Sequence, residues 1–161
     1  MLNGNFLKTG FIALMLTVLA QQAWSADSKE IVYMTQQEFL QQSFADVPEV
    51  KTIWIKGELK SAVSKTLGHD YPALRIRYWH INQRSAWSLD EIGRDKPITM
   101  GFVIEHSQIV SVRVLVWRES RGDEIHLPSF TRQFDGAKLV NTDLLDRHID
   151  GISGATLSVN A

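Results

Sequence analysis

The residue types best suited to chemistry sit together near the end of the sequence, in Asp150-Gly151-Ile152-Ser153-Gly154-Ala155-Thr156-Leu157-Ser158. Small residues at 153 to 155 let a bulky group approach the backbone. A turn of this kind leading into a helix also points amide hydrogens outward, which favours a phosphate. Thr156 and Ser158 place hydroxyls where that phosphate would lie. The same residues equally suit a plain turn in which Ser153 caps a helix and nothing is bound. His69, His80, His106, His126 and His148 show neither H-x-x-x-H nor H-E-x-x-H spacing, so they read as turn or surface residues and no metal site is expected. The sequence contains no cysteine, which removes disulfides, iron–sulfur clusters and C-x-x-C-H haem attachment. Any redox chemistry would then come from a bound organic cofactor.

The elements that must position this segment follow from patterning. Thr35-Gln36-Gln37-Glu38 is a capping box, and Phe39, Leu40 and Phe44 follow at helical spacing, predicting a helix near 36–44. A short strand is expected over 51–56, with Ile53 and Ile55 on one face and Trp54 on the other. Leu59, Ala62, Val63 and Leu67 predict a helix that Gly68 stops. Strands are expected over 75–79, 85–89, 98–105 and 109–118, the last two joined as a hairpin through His106-Ser107-Gln108. In the last strand Val112, Val114 and Val116 mark one face, and Arg113, Leu115 and Trp117 the other. Beyond Arg118 a polar turn precedes Pro128, which can open a short helix through Phe130 and Phe134. Residues 119–136 are where a functional loop would sit. The expected class is α+β, an antiparallel sheet with flanking helices in a single domain.

Aromatic residues on strands are usually core, which is the plain reading of Trp54, Trp79, Trp87 and Trp117. The adjacent acids Asp90-Glu91 and Asp123-Glu124 make poor acid–base dyads, because neighbours on a strand face opposite ways; they read as solvated turns. With 17 Lys+Arg against 18 Asp+Glu in 161 residues there is no bulk positive field, and no nucleic-acid partner is expected. Lys8, the apolar run Phe11 to Ala20 and Ala23-Trp24-Ser25 have the layout of a secretory signal over residues 1–25. That run is about half the roughly 20 residues a spanning helix needs, so export to the periplasm is expected, with membrane association if the signal is not cleaved.

Asp150-x-x-Ser153-Gly154-Ala155-Thr156 resembles the attachment pattern Asp-x-x-(Ser/Thr)-Gly-Ala-(Thr/Ser) of the FMN-binding domain family. That domain occurs in the C subunit of the sodium-pumping NADH:quinone reductase and in the G subunit of the Rnf complex. Further similarity lies in Glu119-Ser120-Arg121-Gly122, in Phe130-Thr131-Arg132-Gln133-Phe134-x-Gly136, in Trp87-x-Leu89-Asp90-Glu91-Ile92-Gly93 and in Pro97-Ile98-Thr99-x-Gly101. The likeness runs over roughly residues 72–161, within a candidate domain of 26–161. It implies that Thr156 carries FMN covalently through a phosphodiester. It further implies that Asp150, Ser153, Gly154 and Ala155 are read by an ApbE-type flavin transferase, and that Glu119, Ser120, Gly122 and Trp87 belong to the cofactor surroundings. Two departures stand out: longer members carry Glu-Thr-Pro-Gly at the turn, and family domains continue beyond the motif as a helix, which is expected to be lacking here. The implied role is electron relay between membrane or extracytoplasmic redox proteins. A reductase with noncovalent FMN and a flavin-free periplasmic binding module are the alternatives.

Overall fold

The computed structural model describes residues 30–141 and 144–152. Its centre is a six-stranded sheet of β1 (Ile31–Val32), β2 (Val50–Trp54), β3 (Arg75–Ile81), β4 (Arg84–Ile92), β5 (Pro97–Glu105) and β6 (Gln108–Trp117). The spatial order is β1-β6-β5-β4-β3-β2, and every neighbouring pair is antiparallel. From β2 to β6 each strand lies beside its predecessor, and β1 joins the far side of β6. The helices are α1 (Gln36–Ser43), α2 (Gly57–Leu67) and α3 (Pro128–Thr131), the last flanked by single 3-10 turns at Asp123–His126 and Arg132–Phe134. The fold is α+β, as expected.

Helix α1 starts at the capping box: the Glu38 amide donates to Thr35 Oγ1 at 3.2 Å, and the Thr35 amide donates to Glu38 Oε2 at 2.8 Å. It buries Phe39, Leu40 and the following Phe44 on one face of the sheet, against Trp79, Ala86, Val103 and Leu115. Gly101 permits this approach, since a Cβ there would lie 2.8 Å from the Phe39 ring. On the opposite face Ile98, Met100, Val112, Val114 and Trp117 are covered by Ile125 and Phe130, with Ile149 and Ile152 packed alongside.

Four local expectations need correction. The alternation in β6 breaks at Leu115: Thr99 pairs with Val116 and Met100 with Val114, so Leu115 is an extra residue in a bulge. Val116 therefore packs with Leu115 against the α1 face, and Trp117 joins Val112 and Val114 on the other. Strand β4 extends to Ile92, taking in Asp90 and Glu91, which are not turn residues: Asp90 accepts from Thr99 Oγ1 on β5, and Glu91 pairs with His69 at 3.1 Å. The β5–β6 hairpin closes through His106 (φ 50°) and Ser107 (φ 61°) alone, leaving Gln108 to the strand. Trp54 is not core, being 55% exposed on the edge strand, whereas Trp79 and Trp117 are buried.

Candidate functional site

Chain leaving β6 passes through Glu119, which is buried although charged. Its Oε1 accepts from the backbone N–H groups of Arg94, Asp95 and Lys96 at 2.6, 2.7 and 2.9 Å. Three successive amides form a concave anion nest in the β4–β5 turn, and the carboxylate fills it. Gly93 makes room, since a Cβ there would lie 3.2 Å from Oε1 and 3.0 Å from Ile98 Cδ1. Burial acts to raise the Glu119 pKa, but the amides of Lys96, Asp95 and Arg94, with the Arg94 charge, outweigh it and hold the pKa below the ordinary value.

Ser120 is exposed, while Gly122 is buried in the left-handed region at φ 87°, where only glycine sits without strain. It opens the 3-10 turn that carries His126, whose ring stacks on Tyr33 with centroids 4.0 Å apart. The Tyr33 hydroxyl donates to Asp123 Oδ2 at 3.3 Å, and His126 Nδ1 contacts the Asp123 carbonyl. This turn is thereby tied to the chain just beyond β1.

Pro128 opens α3 at a position that needs no amide donor, and Phe130 drops onto the sheet with its ring edge-on to Phe134, centroids 5.6 Å apart. Gln133 then grips the first residue of the Asp150 motif from both sides. The Asp150 amide donates to Gln133 Oε1 at 2.7 Å, and Gln133 Nε2 donates to the Asp150 carbonyl at 3.2 Å. Between these residues the chain doubles back on itself: the Asp146 amide donates to the Lys138 carbonyl at 2.8 Å, and Arg147 Nη1 donates to the Asp135 carbonyl at 2.9 Å. Ile152 packs against the buried cluster.

Beside this clamp runs an open groove of about 430 Å³, lined by Glu124, Leu127, Phe130, Gln133 and the stretch Asp150 to Ile152. Among the described residues no atom comes within 4 Å of where a Gly151 Cβ would stand. Asp150 is thus at the groove. Glu119, Ser120, Gly122 and Trp87 do not line it. Trp87 stands on β4 opposite Phe102, stacked on Tyr78 at 4.6 Å, with its Nε1 donating to Ser85 Oγ at 2.9 Å. Ser153, Gly154, Ala155 and Thr156 lie outside the described residues, as does the 1–25 segment. No described helix is long and apolar enough to cross a membrane.

Two positioning residues escaped the sequence reading as individuals. Gln133 and Gly93 both stood inside segments singled out by resemblance, yet nothing in their types marks one as a clamp and the other as clearance for a carboxylate. Compared with family models, with curated proteins and with solved structures, the chain finds no match.

Proposed function

We propose that this protein is a flavin carrier that holds FMN on Thr156 and relays electrons between redox partners of the periplasm or its membrane. The reading rests on the resemblance of Asp150-x-x-Ser153-Gly154-Ala155-Thr156 to a flavin attachment motif. The observation that supports it most is the Gln133 clamp, which fixes the motif's first residue beside a groove with a polar rim and an apolar wall. An isoalloxazine ring suits the apolar wall of Leu127, Phe130 and Ile152; the charged residues among the described lining, Glu124 and Asp150, are acidic, so the groove suits the ring and not the phosphate.

Attachment balances as a phosphoryl transfer. The Thr156 hydroxyl oxygen attacks the FMN phosphorus of FAD, the pyrophosphate bond breaks, AMP leaves, and the threonine proton is given up to the transferase or solvent. Once bound, the flavin supplies one- and two-electron chemistry, and the chain holds and surrounds it.

The test is intact mass and in-gel flavin fluorescence of the protein co-expressed with an active ApbE-type transferase, beside Thr156→Ala. A gain of one FMN less water in the parent, absent from the variant, is expected. An unmodified parent chain overturns the reading. Flavin that co-purifies but leaves on denaturation assigns the protein instead to the noncovalent reductase class.

A further inference from the structure

Strand β2 ends the sheet, with no described strand on its outer side. Ile55, just past it, donates its amide to the Leu74 carbonyl at 2.9 Å, continuing the register that sets Trp54 opposite Arg75. Backbone groups alternate along an antiparallel strand, so Lys51 and Ile53 also turn theirs toward β3, while Val50, Thr52 and Trp54 turn theirs outward. The Trp54 carbonyl accepts from the Lys56 amide at 3.1 Å, which leaves three outward amides and the carbonyls of Val50 and Thr52 to solvent or to a partner. Helix α2 does not cover this edge, because it lies over Ile76, Leu89 and Phe102 of β3, β4 and β5. Val50, Lys51, Thr52 and Trp54 are all exposed.

Charge selects the occupant. In register, Thr52 stands beside Arg77 and Trp54 beside Arg75 on the face that carries Trp79 and α1, and Arg75 reaches toward the edge with its Cζ 5.9 Å from the centroid of the Trp54 ring. Lys51 adds a cation on the other face. Among the described residues none of Lys51, Arg75 and Arg77 forms a salt bridge. A groove of about 750 Å³ runs beside Trp54, Arg75 and Arg77; the acid in its described lining, Asp90, accepts from Thr99 Oγ1, and Glu49 precedes the strand. A second copy of the chain would bring the same cations to the shared edge, where like charges repel, and a lysine on an edge strand discourages such self-pairing. An acidic strand meets the opposite situation.

We propose that the outer edge of β2 takes up an extended acidic segment of a partner protein as a seventh strand. Hydrogen bonds to Val50, Thr52 and Trp54 hold its backbone, and carboxylates turned toward Arg75, Arg77 and Lys51 select it. On the α1 face an acid opposite Thr52 comes within reach of both guanidinium groups, and apolar residues two positions to either side cover Val50 and Trp54, which are 52% and 55% exposed. The proposal goes beyond the carrier reading and does not require flavin on Thr156.

Amide NMR of the isotope-labelled full chain, titrated with the capped peptide Thr-Val-Thr-Glu-Glu-Val-Thr, tests this. The controls are the same peptide with lysine for both glutamates and one N-methylated at its first glutamate, the residue that would donate to Thr52. Saturable binding is expected, with shifts large at Val50, Thr52 and Trp54 and small at Lys51 and Ile53. The lysine peptide should bind about tenfold more weakly or worse, through charge, and the N-methyl peptide likewise, through its blocked ladder. Changing the exposed pair together, Arg75→Gln with Arg77→Gln, should weaken the acidic peptide by about three- to tenfold, the range for two exposed ion pairs, while the chain melts as the parent does. No saturable binding, equal binding of either control peptide, or an affinity unchanged in the double variant overturns the proposal. If the alternating shifts arise instead on concentrating the chain alone, with sedimentation as a dimer, the edge belongs to a second copy and the proposal falls.

Discussion

Gln133 and Asp150 are joined by a reciprocal pair of hydrogen bonds, side-chain amide to backbone amide, across a long excursion of chain. The pair behaves as one rung of a sheet ladder supplied by a side chain. It sets where the motif begins without using the Asp150 carboxylate, which is exposed with His148 Nε2 at 3.6 Å.

Replacing Gln133 with alanine removes both bonds and releases the segment from the Arg132–Phe134 turn. The expected stability loss is about 1–2 kcal/mol, since two neutral hydrogen bonds are lost from a solvent-accessible site. Flavin transfer to Thr156 should slow far more than stability falls, because the substrate segment loses its fixed start. Time courses of in-gel fluorescence at matched protein concentration measure this; a rate equal to the parent's would show that the clamp plays no part in presentation.

Glu119→Gln keeps the shape of the side chain but removes its charge from the amide nest. A loss of about 1.5–3 kcal/mol is expected, the range for hydrogen bonds to a charged group. Because the folded-state pKa lies below the unfolded one, this stabilisation is present above the ordinary glutamate value of about 4.3 and fades as pH falls through the depressed folded value. Urea unfolding of both proteins from neutral pH downward should therefore show a gap that closes in acid. A gap of constant size would place the effect in packing and not in charge.

Gly101→Ala drives a methyl group into the Phe39 ring, which is 2% exposed and hemmed in by the α1 core. Overpacking of this kind costs about 1–3 kcal/mol. A lowered urea midpoint is expected, and the paired change Phe39→Leu with Gly101→Ala should recover part of the loss. Failure of that pair to recover anything would show that the two positions do not press on each other.

Thr35→Ala removes the capping hydroxyl of α1, with an expected cost of about 1 kcal/mol. Since α1 sits on the face opposite the motif, flavin transfer should proceed at the parent rate despite the lower midpoint. A slowed transfer in this variant would mean that the Gln133 effect reports general instability.

Much of the frame could be read from local pattern. The capping box, the β-rich runs from Arg75 onward and the Gly68 stop are signals carried by neighbouring residues, and each reappears as α1, β3 to β6 and the end of α2. What escaped depends on distant partners. The bulge at Leu115 comes from pairing with β5, the inclusion of Asp90 and Glu91 in β4 comes from Thr99 and His69, and no short-range pattern contains those facts. The site divides in the same way. The motif announces itself by residue type, whereas Gln133 and Gly93 act through a carbonyl and a carboxylate far away in sequence. Glu119 stands out by likeness to a turn, and its bonds to the amides of Arg94, Asp95 and Lys96 depend on a loop more than twenty residues earlier.

The pairing of β1 with β6 sets a schedule for folding during synthesis. Strands β2 to β6 can each join the strand made just before, but Val32 pairs with Val116, so β1 waits for the last strand to be translated. At about 5–20 residues per second, the roughly 80 intervening residues amount to a delay of about 4–16 seconds. For that interval β1 of the unfinished chain has no β6 of its own and can pair with β6 of another copy, and strand exchange between copies is the error this order of strands invites.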